Sequence, residues 1–234
     1  MKLLLALLLL IPTLALSQIT LTKNNHIVFK GVVNATSVGK ASVDLLKLSF
    51  RTKPGDTLYI VLDSPGGSVY DGLNFVQLFA TLPRNVSCIA LRAHSMAHHF
   101  LQACPGKRYG VANMASMAHR ASGGFRGTFN RGQVEQQLEL WTGIVQSMEK
   151  VNAKRMGLSL EKYQTLAKDE YWCHGYDCVK KNFVDSIQTV GCSEKLVNKE
   201  TSRTVNSFFG SYKIYESKCP LIGAVRYERM RRRR

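Results

Sequence analysis

Short apolar runs alternate with segments of helical periodicity along the chain, and this alternation limits the fold that it can adopt. Residues 57–62 are almost continuously apolar, a pattern typical of parallel strands that are buried on both faces. Residues 68–82 then repeat apolar side chains at helical spacing, and residues 86–91 are the next short apolar run. A strand, a helix and a second strand at this spacing predict an α/β fold of βαβ units with a parallel sheet and right-handed crossovers.

The flanking sequence extends this pattern in both directions. Residues 26–33 are predicted to form a strand, and Thr36 or Ser37 is predicted to cap the helix that follows it. Residues 130–156 are predicted to form the longest helix, with an apolar stripe that can pack on a neighbour. The other predicted elements are a helix at 95–104, short strands at 107–112 and 116–121, helices at 159–168 and about 176–181, and a segment at 183–187. From residue 191 the pattern weakens.

Composition narrows the function classes that fit this chain of 234 residues. Hydrophobic residues make up 45% and charged residues 21%, so the chain can bury a sizeable core. No G-x-x-x-x-G-K-[ST] run is present, which excludes ATP hydrolysis through a P-loop. The net charge of +16 suggests an acidic partner, but the basic residues are spread out and are not interleaved with aromatics. A nucleic-acid partner is therefore not expected, and the dense arginines of residues 226–234 are interpreted as a solvated basic tail.

The N-terminus has the three parts of a secretory signal peptide. Lys2 precedes an unbroken apolar run at residues 3–11, and Ala15 and Ser17 place small residues before a cut after Ser17. A membrane anchor is the alternative, but the apolar stretch is shorter than the ~20 residues of a spanning helix. We therefore predict a signal peptide at residues 1–17 and a secreted or periplasmic protein, with a membrane-tethered one as the alternative.

Export changes what the cysteines imply, because an oxidising compartment and an even count favour disulfide bonds. The six are Cys88, Cys104, Cys173, Cys178, Cys192 and Cys219. Cys192 with Cys219 is the favoured pair, and Cys88 with Cys104 and Cys173 with Cys178 also fit. A metal site made of Cys173, His174 and Cys178 is not favoured, because this spacing matches no common zinc pattern.

Two predicted strand-to-helix junctions are the places where chemistry is expected in an α/β sheet. Gly66 and Gly67 follow one strand and allow backbone amides to approach a ligand. Ser95 begins a predicted helix, whose first amides have no partner within the helix and favour negative charge. A hydroxyl beside such donors suits acyl transfer, for which His119 is well placed as a base. Each signal alone also fits an ordinary helix cap, turn or structural histidine.

Four segments together resemble motifs of the Clp protease proteolytic subunit family. Residues 63–68 (Asp-Ser-Pro-Gly-Gly-Ser) resemble its N-S-P-G-G signature, and residues 93–97 (Ala-His-Ser-Met-Ala) resemble its A-A-S-M-[GA] nucleophile motif. Residues 117–120 (Met-Ala-His-Arg) resemble its M-I-H-Q histidine motif. Residues 169–187, from Asp-Glu-Tyr-Trp to Phe-Val-Asp-Ser-Ile, resemble its D-[RY]-[FY]…G-L-[IV]-D-x-[IV] ending. The likeness covers about residues 25–190, with the motifs in the family's order.

The resemblance implies a crotonase-like α/β fold of repeated ββα and βαβ units, with residues 130–156 as the long handle helix. It implies a serine endopeptidase that acts on peptides or unfolded proteins and needs no metal or other cofactor. It also implies a homo-oligomeric ring, either a heptamer or two stacked rings. An ATP-driven AAA+ unfoldase is a possible partner only if the chain is not exported. On this basis we divide the chain into residues 1–17, a protease domain at 18–190 and a C-terminal appendage at 191–234.

The resemblance also implies roles for individual residues. Ser95 would be the nucleophile, and His119 the general base and later the general acid. The backbone amides of Gly67 and Met96 would form the oxyanion hole.

Two neighbouring carboxylates can serve as the third member of the catalytic triad. Counting back from Asp185 gives Glu170 at the family's aspartate position, and Asp169 is one residue earlier. Either carboxylate can orient the histidine, and Glu170 is modestly favoured.

This sequence departs from the family pattern near the nucleophile. His94 replaces a small residue, Leu91 replaces a glycine and Arg120 replaces a glutamine. The ring of His94 would either crowd the site or offer a second proton acceptor. These departures motivate an alternative function, a catalytically impaired ring or binding subunit. Acyl-CoA chemistry on the related crotonase fold is a further alternative, although it would not need both a serine and a histidine.

Overall fold

The computed structural model describes residues 18–82, 85–124, 126–208 and 210–230; the predicted signal peptide and the last four arginines lie outside these ranges. The strands are β1 (Ile19–Leu21), β2 (His26–Lys30), β3 (Thr57–Ser64), β4 (Asn85–His94), β5 (Arg108–Ala118), β6 (Tyr171–His174), β7 (Ser186–Ile187), β8 (Val190–Cys192), β9 (Glu200–Ser207), β10 (Gly210–Ser217) and β11 (Ala224–Arg229). The helices are α1 (Ala35–Ser49), α2 (Val69–Thr81), α3 (Met96–Gln102), α4 (Arg131–Arg155), α5 (Leu160–Ala167), α6 (Asp177–Lys180) and α7 (Glu194–Val197).

A six-stranded sheet forms the centre of the fold, in the order β2-β3-β4-β5-β6 with β7 beside β5. Strands β2, β3, β4 and β5 run parallel to one another, and β7 is parallel to β5. Strand β6 runs antiparallel to β5. Helices α1, α2 and α3 follow β2, β3 and β4, so strands and helices alternate as the periodicity predicts. The predicted α/β class is confirmed.

Both faces of the sheet are covered, which explains the unbroken apolar run in β3. Alternate residues of a strand point to opposite faces. Leu58, Ile60 and Leu62 pack in the core under α1 to α3, whereas Val61 packs in a second cluster on the other face. All four are fully buried.

Residues 108–118 form one strand, so the prediction of two short strands is wrong. Gly110 pairs with Ala90, but the next paired residue of β5, Ala115, lies opposite Arg92. The extra residues between Gly110 and Ala115 form a bulge in β5. Because Ala112 and Asn113 are exposed there, the apolar pattern is interrupted and suggests two separate strands.

The segment after residue 190 is more ordered than its sequence pattern indicates. Strand β8 pairs parallel to β1, and β9, β10 and β11 form an antiparallel sheet in the order β11-β10-β9. The side chains of β9 and β11 are mostly exposed, so these two strands show no hydrophobic alternation from which they can be predicted. In the same segment Leu196 packs on Val61 and Ile89 and covers the second face of the sheet.

Three disulfide bonds join elements of the fold, with the pairings expected from the sequence. Cys88 of β4 is bonded to Cys104 after α3. Cys173 of β6 is bonded to Cys178 of α6, and Cys192 of β8 to Cys219 after β10. Because Cys173 and Cys178 bind each other, their thiolates are not available as metal ligands. No group of three or more His, Cys, Asp or Glu in the described ranges is placed to hold a metal ion.

The long helix α4 is attached to the body mainly by its C-terminal half. Met148 and Ala153 are buried there, whereas Val134 and Leu138 at the other end of the predicted apolar stripe are 42% and 54% exposed. Among the residues that the model describes, no helix is long and apolar enough to cross a membrane.

Candidate active site

Ser95 and His119 meet because they follow neighbouring parallel strands. In the ladder between β4 and β5, His94 lies opposite Met117, so both strands end at the same edge of the sheet. Ser95 comes directly after β4 and His119 directly after β5. The Oγ of Ser95 lies 2.7 Å from Nε2 of His119, which is hydrogen-bonding distance.

The backbone at Ser95 presents the hydroxyl to the histidine instead of to the helix. Ser95 has φ 55° and ψ −121°, an uncommon conformation for a residue with a side chain. Its side chain makes no capping hydrogen bond to α3, so Ser95 does not act as an ordinary helix cap. Backbone strain of this kind is often found at functional sites, including nucleophilic serines on sharp strand-to-helix turns.

Gly67 and Met96, whose amides are the predicted donors of an oxyanion hole, lie beside Ser95 and His119. Both residues line the same cavity as Ser95 and His119. Met96 is the first residue of α3, whose first-turn N–H groups have no acceptor within the helix. Neither amide donates to another backbone group in the described part of the chain. The site therefore combines a hydroxyl, an imidazole and unpaired N–H donors, which is the set that acyl transfer needs.

Gly66 allows the loop after β3 to pass directly against Ser95, the predicted nucleophile. It has φ +94°, and a Cβ added there would lie 2.6 Å from Cβ of Ser95 and 2.9 Å from N of Met96. Neither atom can move without moving the nucleophile or the adjacent amide.

Replacing Gly66 with alanine is therefore expected to lower kcat/KM for peptide hydrolysis by at least about 100-fold. Gly55→Ala is the matched control, because Gly55 has φ +93° but nothing within 4 Å of an added Cβ. Both variants carry similar backbone strain, but only Gly66→Ala adds a steric clash, so urea unfolding should report a larger loss of stability for Gly66→Ala, and only this variant should lose activity. Wild-type activity in Gly66→Ala would contradict this packing.

Neither predicted orienting carboxylate contacts His119. Glu170 has φ 72°, and its Oε2 accepts a hydrogen bond from Nε1 of Trp172 at 2.9 Å. Asp169 is exposed and has no hydrogen-bond or ion-pair partner in the described ranges. Within the same ranges, Nδ1 of His119 has no partner. The structure thus brings together Ser95 and His119, with Gly67 and Met96, and leaves Glu170 and Asp169 apart from the imidazole.

His94 does not enter the catalytic cavity. Its ring packs edge-on against Trp172 with the ring centroids 4.9 Å apart, and its Nε2 is buried without a partner. Burial, with the nearby charge of Arg92, lowers the pKa of His94. The residue is therefore an uncharged packing group beside β6, and it neither crowds the cavity nor acts as a proton acceptor there.

Sequence reasoning did not identify the side chains that form the rest of the cavity. It measures about 100 Å³ and is also lined by His98 and His99 of α3, Glu149 and Asn152 of α4, and Tyr163 of α5. No local motif distinguishes these residues, because α4 and α5 reach the site only through tertiary packing.

Comparison with known proteins identifies the family to which the chain belongs. The family model described as Clp protease matches residues 15–191, which is most of the chain. The chain belongs to the Clp protease family. It is 28% identical over 165 residues to the ATP-dependent Clp protease proteolytic subunit 1 of Frankia casuarinae, an alignment that covers 70% of this chain and 76% of the relative.

Two further relatives of the Clp protease family show similar levels of identity. The ATP-dependent Clp protease proteolytic subunit of Streptococcus pneumoniae is 27% identical over 169 residues, covering 71% of this chain and 86% of the relative. Subunit 3 of Streptomyces coelicolor is 28% identical over 157 residues, covering 66% of this chain and 71% of the relative. The aligned region includes the two strand ends that carry Ser95 and His119, whereas the family match ends at residue 191, before α7 and β9 to β11.

The positions of the two acidic residues lead to a testable prediction for this member of the family. We expect Asp169→Asn and Glu170→Gln each to lower kcat/KM by less than about tenfold, because neither carboxylate touches His119. Where an aspartate does orient the imidazole of a triad, its amide variant loses about 10⁴-fold in kcat. Kinetics of the two variants on one peptide would test this, and a loss above about 100-fold in either would show that its carboxylate moves onto His119 during turnover.

Proposed function

We propose that this protein is a serine endopeptidase that hydrolyses peptides or already unfolded chains. Ser95 attacks the scissile carbonyl, and His119 takes its proton and later passes it to the leaving amine. The amides of Gly67 and Met96 stabilise the oxyanion. The observation that carries the proposal is the 2.7 Å contact between Ser95 Oγ and His119 Nε2 in a cavity lined by both amides.

We further propose that the mature chain acts outside the cytoplasm. The predicted signal peptide at residues 1–17 supports export, and the three disulfide bonds suit an oxidising compartment. Where no ATP is available, no ATP-driven unfoldase can feed the site, so its substrates are peptides and unfolded proteins. A ring of identical subunits, heptameric or doubled, is proposed from family membership and from the exposed apolar end of α4.

A direct assay separates this proposal from acyl-CoA chemistry. The purified full-length protein is incubated with fluorogenic peptides, with a reduced and alkylated protein, and with an acyl-CoA thioester, all without ATP. We expect hydrolysis of the first two, lost on treatment with diisopropyl fluorophosphate. Turnover of the thioester without peptide hydrolysis would overturn the proposal.

A second candidate, an impaired ring or binding subunit, is favoured by one specific observation. Nδ1 of His119 lacks a partner in the described ranges, and the Glu170 carboxylate is held by Trp172 instead. This candidate predicts that Ser95→Ala changes neither assembly nor any residual hydrolysis.

A further inference from the structure

The cavity beside Ser95 contains a buried carboxylate. Glu149 projects from α4, is only 7% exposed and lines the same cavity as Ser95 and His119. In a serine peptidase, the side chain of the residue whose carbonyl is attacked enters a pocket next to the nucleophile, and that pocket sets specificity. The charges and hydrogen bonds around Glu149 therefore help to determine which side chain this pocket accepts.

No protein cation neutralises Glu149. Its Oε2 accepts a hydrogen bond from Nε2 of Gln164 at 2.7 Å. No Lys, Arg or His lies within ion-pair distance of its carboxylate in the described ranges. A buried carboxylate without a cation is costly, and a cationic ligand group would compensate it.

Among the other polar groups of the cavity wall, Nε2 of His98 is buried without a partner in the described ranges, whereas Asn152 links two of its neighbours. Oδ1 of Asn152 accepts from Nδ1 of His99 at 2.8 Å, and Nδ2 of Asn152 donates to the hydroxyl of Tyr163 at 2.9 Å. This chain of hydrogen bonds uses both ends of the Asn152 amide. Glu149 is thus the acidic group in the cavity wall that retains an oxygen without a protein donor among the described residues.

The histidines in the wall do not supply a positive charge. Burial lowers the pKa of His99, and burial with the charges of His99 and Arg108 lowers the pKa of His98 to about 3. Both rings are therefore neutral at physiological pH. Burial raises the pKa of Tyr163 to about 12, opposed by its hydrogen bond with Asn152 and reinforced by the charge of Glu149, so its hydroxyl stays protonated.

We propose that Glu149 selects a basic side chain, lysine or arginine, in the residue whose carbonyl Ser95 attacks. This inference rests on the proposed peptidase function and names its substrate class: peptides cleaved after a basic residue. The cavity is small, at about 100 Å³. A narrow side chain that ends in a cation would suit such a space and could reach the carboxylate.

The test compares two fluorogenic peptides that differ only in the residue before the scissile bond, lysine or its uncharged analogue norleucine. We expect the wild-type protein to prefer lysine at least tenfold in kcat/KM. Glu149→Gln should reduce this ratio to below threefold, with the larger fall in kcat/KM on the lysine peptide. Glu161→Gln removes an exposed carboxylate from α5 and should leave the ratio unchanged. Equal cleavage of both peptides by the wild type, or a lysine preference that survives Glu149→Gln, would overturn the inference.

A binding experiment separates this inference from failure of the peptidase proposal. n-Butylammonium, an unbranched cation of the length of a lysine side chain, is titrated calorimetrically into Ser95→Ala and into the double variant Ser95→Ala/Glu149→Gln, neither of which needs to turn over. We expect binding to the first to be at least tenfold tighter than to the second. If neither peptide is cleaved but this difference is found, the peptidase proposal fails and the cation pocket stands. No difference in binding would overturn the pocket assignment.

Discussion

Ser95→Ala is expected to lower kcat/KM for peptide hydrolysis by at least about 10³-fold, because it removes the hydroxyl that the proposed function assigns as the nucleophile. The loss should leave stability almost unchanged, since the Ser95 side chain makes no capping bond and, among the described residues, its hydroxyl bonds only to His119. Steady-state kinetics and urea unfolding of the same preparation would measure both quantities.

The matched control for this loss is Ser68→Ala. Ser68 also stands at the start of a helix, but its hydroxyl caps α2 by accepting from the Asp71 amide. Ser68→Ala should therefore cost about 1 kcal/mol of stability and little of the chemistry. If Ser95→Ala retains full activity, Ser95 is not the nucleophile.

Asp185→Ala is expected to lower the free energy of unfolding by about 3–5 kcal/mol, since it breaks a largely buried ion pair. The Arg108 guanidinium is 5% exposed and lies 2.6 Å from Oδ1 of Asp185. The backbone amide of Arg108 donates to Oδ2 of Asp185 at 2.7 Å, which ties the start of β5 to the segment before β7. Without the carboxylate, the guanidinium remains buried and is bonded only to neutral acceptors, Gln102 and the Asn182 carbonyl.

The exposed pair between Lys181 and Asp177 provides the control for this effect. Both side chains are at least one-third exposed, so Asp177→Ala should cost less than about 1 kcal/mol. Urea unfolding monitored by circular dichroism measures the two losses. Equal losses for the two variants would contradict the structural role assigned to Asp185.

The ion pair between Arg108 and Asp185 also leads to a prediction about pH. Burial alone would raise the pKa of Asp185, but the hydrogen bonds and charge of Arg108, with the charge of Arg155, hold it below its usual value. An acid whose pKa is lowered by folding contributes stability above its unfolded pKa, about 3.9, and loses it as pH falls through the folded value. The stability difference between wild type and Asp185→Ala should therefore shrink below about pH 4.

The central sheet could be predicted because the burial of its strands is visible in the local pattern of apolar residues. Residues 57–62 are apolar on both sides of the strand, and β3 is buried on both faces as that pattern requires. The helix after β2 is also predictable from the sequence, but the predicted cap, Thr36 or Ser37, is wrong, because Asn34 is the N-cap and Ser37 completes the capping box from inside the helix. The bulge at residues 111–114 interrupts the apolar pattern, so the sequence wrongly predicts two strands there. Strand β9 is exposed and shows no apolar periodicity, so the sequence does not predict it.

The candidate site was only partly predictable for a similar reason. Ser95, Gly67 and Met96 lie at strand-to-helix junctions, a position that sequence reveals. The positive φ values of Ser95 and Glu170 depend on how their loops pack, which the sequence does not show. The Glu170 carboxylate is bonded to Trp172 instead of His119. Glu149 lies more than 50 residues from Ser95 on a helix whose exposed stripe gives no sign of a pocket.

Labelling with a fluorophosphonate probe, followed by mass-spectrometric mapping of the modified residue, tests the central claim most directly. The account predicts a single adduct on Ser95 of the full-length protein, absent from Ser95→Ala and formed much more slowly in His119→Gln. An unlabelled wild type, or an adduct on another residue that persists in Ser95→Ala, would contradict it.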